Sequence, residues 1–203
     1  MEKNGYVNRN RVWTPNGLHW LTVPVLTKGH MTAAIGDLRI NPNVSWKAKH
    51  LRTLALSYGK RPHYARCAED LERLIAGAGE DLTGFLAGML AYFLKTLGME
   101  EKRVIRASSL EPQGKATTLL LDICQKVGAT AYLSGVAGKE YLELRHFDEA
   151  GVEVVFQDFR HPAYGQGRPG FDSHLAVVDA LFNLGGEGVL PLLKGAGGVE
   201  RRA

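Results

Sequence analysis

Between residues 45 and 98 the chain carries three helical patterns in succession and no strand signal. Ser45 is placed to cap a helix running from Trp46 to about Tyr58, with Leu51, Leu54, Ala55 and Tyr58 at i, i+3, i+4 and i+7. Pro62 suits the first position of a second helix, whose buried face is Tyr64, Cys67, Leu71, Leu74 and Ile75. Gly77-Ala78-Gly79 stops it. A third helix starts near Asp81 and places Leu82, Phe85, Leu86, Met89, Leu90, Phe93, Leu94 and Leu97 almost continuously on one side before Gly98, a natural C-cap. A block of this kind is a helical subregion, roughly residues 45–98, inserted into whatever the flanking segments build.

Those flanks carry strands. Trp20 to Leu26 is β-rich and follows a turn signal, Pro15-Asn16-Gly17; Pro24 cannot donate to a ladder and marks an edge or a strand end. After residue 98 the pattern alternates: a strand at Val104–Ala107, a helix from about Lys115 to Val127, a strand at Thr130–Leu133, helical sequence from Gly138 to Arg145, a strand at Val152–Phe156, and a helix from about Ser173 to Leu184. Alternation of this kind predicts an α/β fold: a mainly parallel sheet of about four strands flanked by helices, with the helical insertion after the first strand. The expected organisation is a single domain over residues 1–190 and a flexible Gly/Arg tail over 191–203, containing Gly195, Gly197, Gly198 and Arg201-Arg202.

Charge and composition narrow the partners. The net charge is +4, and the basic clusters are short: Lys60-Arg61, Arg9 with Arg11, and Arg201-Arg202. Nucleic-acid binders gather their cations on one face, so a small anionic or sugar-containing substrate is expected rather than nucleic acid. No apolar run approaches the roughly 18 residues that span a bilayer, and Met1 to Gly5 has no apolar segment of a secretory signal. The expectation is a cytoplasmic protein without a membrane span. Cys67 and Cys124 lie in apolar helical patterns and read as small buried hydrophobes; with no CxxC, no metal site is expected.

In open α/β sheets ligands bind beyond the carboxyl ends of the strands. Three such ends carry polar residues: Ser108-Ser109 with Lys115 at the next helix start, Ser134-Gly135-Val136-Ala137-Gly138, and Gln157-Asp158-Phe159-Arg160-His161. In a parallel sheet these loops share one rim and form one pocket. Ser108 and Ser109 also read as turn caps. The Ser134 to Gly138 segment reads either as a phosphate-cradling loop or as a tight strand-to-helix turn. His161 is a candidate base and also an ordinary loop histidine. Asp179 and Asn183, four apart on an apolar helix, must satisfy a loop or face the pocket, because burial without partners costs roughly 1–3 kcal/mol. Asn8-Arg9-Asn10-Arg11 sets two guanidiniums beside two amides, a pattern suited to carboxylate or phosphate and equally to a solvated lead-in.

The segments together carry a resemblance. Asn8-Arg9-Asn10-Arg11 with Trp20-Leu21-Thr22-Val23-Pro24-Val25, Trp46-x-x-x-His50, Tyr58-x-x-x-Pro62-x-Tyr64, Ser108-Ser109, Tyr132-Leu133-Ser134-Gly135 with Tyr141-Leu142, Phe159-x-His161-Pro162-x-Tyr164-x-Gln166 and Asp179-x-Leu181-Phe182-Asn183-x-Gly185 follow one another as in the WbqC-like family, which this chain resembles. Members begin with a further N-terminal stretch and often have a serine where this chain has Ala176, so a short member is expected. The resemblance implies a transferase of bacterial surface-polysaccharide (O-antigen-type) synthesis, with glycine transfer to an amino sugar as the suggested chemistry. Catalytic roles would then fall to His161, Lys115 and Asp179. Substrate binding would fall to Asn8, Arg9, Asn10, Arg11, Ser108, Ser109, Ser134, Gly135, Gly138, Tyr141, Gln157, Tyr164 and Asn183. The alternatives are a nucleotide-binding ligase or transferase, and a non-catalytic binding protein that has lost an N-terminal part of its site.

Overall fold

The computed structural model describes residues 5–26 and 34–201. In chain order the strands are β1 (Arg9–Thr14), β2 (Gly17–Thr22), β3 (Ala131–Ser134), β4 (Glu153–Phe159) and β5 (Gly197–Arg201). The helices are α1 (Lys47–Tyr58), α2 (Tyr64–Gly77), α3 (Leu82–Thr96), α4 (Ala116–Lys126), α5 (Gly138–Tyr141), α6 (Leu144–Glu149) and α7 (Val177–Lys194). The chain divides into two compact units: Met1–Lys102 with Ala163–Leu193, and Arg103–Pro162 with Lys194–Ala203. The second unit takes its last strand from beyond residue 190.

In the first unit β1 and β2 form an antiparallel hairpin with Arg11 opposite Trp20 and Val12 opposite His19. Successive strand residues point to opposite faces. Val12 therefore enters the core, while Arg9, Arg11 and Trp13 share the other face. The core joins Val12, Leu38, Ile40, Leu54, Leu71 and Leu82 with Trp46, Tyr58 and Phe182. The helical subregion is present as α1, α2 and α3. Its details differ from the sequence pattern. Ser45 does not cap α1, which starts at Lys47 without a side-chain cap. Pro62 sits in a turn before α2, in which Arg61 N–H donates to the Tyr58 carbonyl and His63 N–H reaches the Phe182 carbonyl at 3.1 Å. On α3 only Leu82 and Tyr92 are buried, and Leu90 is 45% exposed.

The last helical pattern was expected to end at Leu184. At Gly185 φ is 69°, which breaks α7, and helix then resumes to Lys194. Glycine is required at both positions of the kink. A Cβ on Gly185 would stand 2.7 Å from His63 Nδ1, and one on Gly186 would stand 1.7 Å from the Thr96 carbonyl oxygen.

The second unit has sheet order β3-β4-β5. β3 and β4 are parallel, with Ser134 level with Phe156, and are joined through α5 and α6. β5 runs antiparallel on the other edge of β4. The core is Cys124, Phe147, Val152, Val154 and Phe156, and Tyr132 stacks on Phe147 at 5.4 Å.

The α/β class holds, but the expected sheet of about four mainly parallel strands does not form: the strands make a two-stranded hairpin and a three-stranded mixed sheet. Val104–Ala107 is not a strand. Val104 is 58% exposed, and the segment runs without a ladder partner into a 3₁₀ turn at Ala107–Leu110. The Gly-rich segment expected to fray supplies β5, which covers an edge of β4 that would otherwise present unpaired backbone groups. Arg201 Nη1 lies 3.0 Å from Glu153 and Lys139 Nζ 2.6 Å from Glu200. Arg202, and Lys3 and Asn4 before the Asn-Arg-Asn segment, lie outside the described residues.

Candidate functional site

The first unit assembles a polar cluster on the odd-numbered face of β1. The segment before α7 is drawn along β1 by a hydrogen bond from the Ala176 N–H to the Arg11 carbonyl (2.7 Å). This brings Tyr164, Gln166, Arg168 and Asp172 into the cluster. At its base is Asp179, 1% exposed. Its carboxylate accepts from the Tyr58 hydroxyl at 2.8 Å and from the Tyr164 hydroxyl at 2.9 Å. The Tyr58 oxygen in turn accepts the Trp13 N–H at 2.9 Å. Asn183 Nδ2 donates to the Asp179 carbonyl at 2.7 Å. Burial pushes the hydroxyl pKa of Tyr58 upward, and the adjacent Asp179 charge adds to it. Tyr164 is raised for the same two reasons, burial first. Both tyrosines therefore stay protonated and keep donating to Asp179 across the physiological range.

Arginines surround this base. The Trp13 ring has the Arg61 guanidinium 5.7 Å from its centroid and that of Arg168 at 5.3 Å. On β2 the Trp20 ring holds Arg9 at 4.4 Å and Arg11 at 5.8 Å. Cation–π contact of this kind fixes a guanidinium while leaving donor edges free. Arg61 donates to the Gly167 carbonyl. Gln166 is fully enclosed; its Oε1 accepts from Arg168 at 2.8 Å and from the Asp172 N–H at 2.9 Å, and its Nε2 donates to the Asp172 carbonyl at 2.8 Å. Arg168 also pairs with the Asp172 carboxylate. The Nε atoms of Arg11 and Arg168 are buried without an acceptor. Among the described residues no carboxylate pairs with Arg11 or Arg61. A cluster of guanidiniums short of acceptors suits a carboxylate or phosphate. The Tyr164–Asp179 pair can take up a proton at the tyrosine oxygen while the tyrosine's own proton passes to the carboxylate.

Of the residues singled out from sequence, Asn8, Arg9, Asn10, Arg11, Tyr164, Asp179 and Asn183 belong to this unit. Asn8 Nδ2 donates to the Val23 carbonyl (2.8 Å), fastening the chain before β1 to the end of β2, and Asn10 Oδ1 accepts the Arg11 N–H (2.8 Å). Lys115, Ser108, Ser109, Ser134, Gly135, Gly138, Tyr141, Gln157 and His161 belong to the second unit. Ser109 Oγ donates to the Arg106 carbonyl and so closes the 3₁₀ turn that also holds exposed Ser108. Because no strand precedes them, Ser108 and Ser109 do not join a strand-end rim. Exposed Lys115 sits at the start of α4 with its N–H on Thr118 Oγ1. Ser134 is buried at the end of β3, bonded to the Gly135 carbonyl, and close enough to Gly138 that only a glycine fits there. Parallel pairing sets Ser134-Gly135 and exposed Gln157 on one sheet edge. Tyr141 is exposed. The His161 ring lies edge-on to Phe159, with Nδ1 3.1 Å from the Pro162 carbonyl oxygen.

Sequence reasoning assigned no site role to Trp13, Arg168 and Asp172; Arg61 entered only as part of a basic pair, Tyr58 as a helix-stripe and motif position, and Gln166 as a motif position. One signal was legible: Arg9, Arg11 and Trp13 alternate with Val12 as a strand would, and the Pro15-Asn16-Gly17 turn could close a hairpin on that side too.

Fold and cluster together define a mixed α/β protein with a basic, aromatic-lined site built on a buried carboxylate. The chain belongs to the WbqC-like protein family, whose model matches residues 1–190. It is similar to the uncharacterized protein Rv1507c of Mycobacterium tuberculosis, with 31% identity over 187 residues, covering 91% of this chain and 80% of that protein. No solved structure matches it. Among the described residues no helix is long and apolar enough to cross a membrane.

Proposed function

We propose that this protein is a transferase of surface-polysaccharide synthesis that places an acyl or aminoacyl group, glycine being the simplest, on a sugar amine, and that the cluster of the first unit is its site. The observation that carries the reading is the pairing of half-buried Arg11 and Arg61, which have no carboxylate partner among the described residues, with a fully buried Asp179 reached through Tyr164. Family membership supports the substrate class, and the cluster supports the chemistry. Arg11 and Arg61 hold the carboxylate or phosphate of the donor, with Arg168, paired to Asp172, beside them. The Trp13 ring offers an apolar face to a sugar. The neutral amine attacks the donor acyl carbon, the new C–N bond forms, and the donor's leaving group departs as an anion held by the arginines. The proton lost from the amine goes to the Tyr164 oxygen as Tyr164's own proton moves to Asp179. General-base assistance of this kind contributes roughly 10²–10⁴ in rate. The base role read for His161 from sequence passes in this reading to the Tyr164–Asp179 pair.

A second reading, a nucleotide-dependent ligase or transferase, is favoured by the parallel pairing that sets Ser134, Gly135 and Gln157 at one sheet edge. There His161 and Lys115 would serve a bound phosphate. A thermal-shift panel of ATP, UDP-sugars, amino sugars and activated glycine separates the two. Stabilisation by sugar and donor compounds that is lost in Arg11→Gln and Arg168→Gln is expected; a ligand at 100 times its dissociation constant adds about 2.7 kcal/mol. Stabilisation by ATP alone that survives both substitutions supports the second reading. Silence toward the whole panel refutes both and leaves a non-catalytic binding protein.

A further inference from the structure

Gln166 is 2% exposed, although its neighbours Gly165 and Gly167 are exposed. A carboxamide has two acceptor lone pairs and two donors. Here both lone pairs and one donor are used inside a single loop, Gln166 to Asp172. Oε1 accepts the Asp172 N–H (2.9 Å) and Arg168 Nη2 (2.8 Å), and Nε2 donates to the Asp172 carbonyl (2.8 Å). The first and third of these bonds grip the Asp172 main chain as a strand partner would, and they shut the loop at its two ends. Gly167 and Gly170, with φ of 64° and 76°, make the turns between. The loop delivers both guanidiniums that meet at the Trp13 ring. Arg168 belongs to it and lies 5.3 Å from the ring centroid. Arg61 comes from the turn before α2, lies 5.7 Å from the same centroid, and is caught by the loop through its donation to the Gly167 carbonyl. A Cβ on Gly167 would collide with the Arg61 guanidinium and stand 3.1 Å from Asn183 Oδ1, so this seat exists only beside a glycine. One side chain fixes the loop, and the loop fixes two cations.

We infer that Gln166 is a positioning residue of the anion site: enclosed and out of a ligand's reach, it sets Arg168 and Arg61 at Trp13 by clamping the Asp172 main chain. The inference rests on the reading of this cluster as an anion site, and adds to it the residue that makes the two guanidiniums act together. The Arg168–Asp172 ion pair cannot replace the clamp. It joins positions 168 and 172 and leaves Gly167, which holds Arg61, outside the closed segment. An anion that meets a loop already closed does not have to order it. Where the loop is mostly open, affinity falls by the fraction that is closed.

Calorimetric titration of the full chain with inorganic pyrophosphate tests it. Gln166→Met keeps the length of the side chain and removes all three bonds; it should weaken pyrophosphate about tenfold or more, as Arg168→Gln should. Leu82→Ala, a core substitution in α3, is the comparison for lost stability alone and should leave the affinity unchanged. The wild-type protein supplies a second readout, which needs no folded variant. Coupling is reciprocal, so a clamp that raises anion affinity is itself held closed by the anion. The Asp172 N–H, bonded to Gln166 Oε1, should therefore exchange with deuterium about tenfold more slowly in saturating pyrophosphate. The Asn43 N–H, bonded to Asn41 Oδ1 at 3.0 Å in the same unit, should not change. Absence of pyrophosphate binding by the wild-type protein refutes the anion site and the inference with it. Binding that Gln166→Met leaves intact, or weakens no more than Leu82→Ala does, refutes the inference alone. So does Asp172 exchange that the anion slows no more than Asn43 exchange.

Discussion

The two tyrosines on Asp179 should separate fastening from chemistry. Tyr58→Phe keeps the ring, which packs on Phe182 at 5.3 Å, and removes only the hydroxyl. That hydroxyl serves two partners, so the substitution strands both the Trp13 N–H and one oxygen of a fully buried carboxylate. Leaving a buried group unpaired costs roughly 1–3 kcal/mol, so for the two groups the expected loss is about 2–6 kcal/mol. Tyr164→Phe strands one carboxylate oxygen at a half-buried position, with an expected loss of about 1–2 kcal/mol. Urea unfolding followed by tryptophan fluorescence measures this directly, because Trp13, Trp20 and Trp46 all lie in the first unit and report it alone. With a slope of about 2 kcal/mol per molar urea, Tyr58→Phe should lower the midpoint by roughly 1–3 M and Tyr164→Phe by roughly 0.5–1 M. In an Asp179→Ala background Tyr164→Phe should fall within about 0.5 kcal/mol of neutral, while Tyr58→Phe keeps the Trp13 part of its cost. Transfer activity should show the reverse order, lost in Tyr164→Phe and retained in Tyr58→Phe under conditions where that variant is folded. Equal stability losses, or a Tyr164 loss undiminished without Asp179, would refute the geometry on which the proton relay rests.

Three further outcomes follow from burial and pairing. His50 titrates near 6.5 when unfolded and near 4 when folded, so protons bind the unfolded state preferentially between those values. Stability is full above about pH 6.5, falls by up to about 3 kcal/mol as pH drops toward 4, and changes no further below that on this account; unfolding curves for His50→Gln across pH 4–7 should lose this slope. Leu82→Ala should cost about 2–5 kcal/mol as a core cavity, whereas Leu90→Ala, on the same helix but 45% exposed, should cost under about 1 kcal/mol by the same urea assay. Ending the chain at Lys194 removes β5, and the uncovered β4 edge should show as lower proteolytic resistance of residues 103–162 and as concentration-dependent aggregation in light scattering.

The helical subregion was legible because amphipathic spacing is a local property: α1, α2 and α3 begin and end within a few residues of where Leu54, Ile75 and Gly98 place them. β3 and β4 were legible as strands for the same reason, and the helical sequence between them implied that they run parallel. The strand at Val104 failed because two apolar residues between Arg103 and Arg106 fit a strand only if a partner exists, and pairing is not encoded locally. β5 failed in the opposite sense: Gly197 and Gly198 read as frayed until Gly197 is seen level with Phe159 on an uncovered edge. The site divided in the same way. Asp179 and Asn183 were conspicuous as polar residues on an apolar helix. Trp13, Arg61 and Arg168 were not, since nothing in their own neighbourhoods says that the two arginines will meet around the Trp13 ring.

Strand β1 explains why binding and folding are tied together in this unit. Val12 at its centre belongs to the core, and its odd positions carry the guanidiniums and Trp13. Because side chains alternate with period two, a one-residue slip of the hairpin would turn Arg11 inward and Val12 outward, at the cost of a buried charge as well as a lost core contact. The core therefore holds the arginines in register, and the two faces should respond differently to substitution. Val12→Ala should cost about 2 kcal/mol in urea unfolding while leaving anion-induced thermal stabilisation intact. Arg11→Gln should abolish that stabilisation with a change in unfolding free energy below about 1 kcal/mol, because among the described residues no carboxylate loses a partner. If both substitutions moved the same measurement, the two faces would not be independent and the arginines would be part of the scaffold rather than the site.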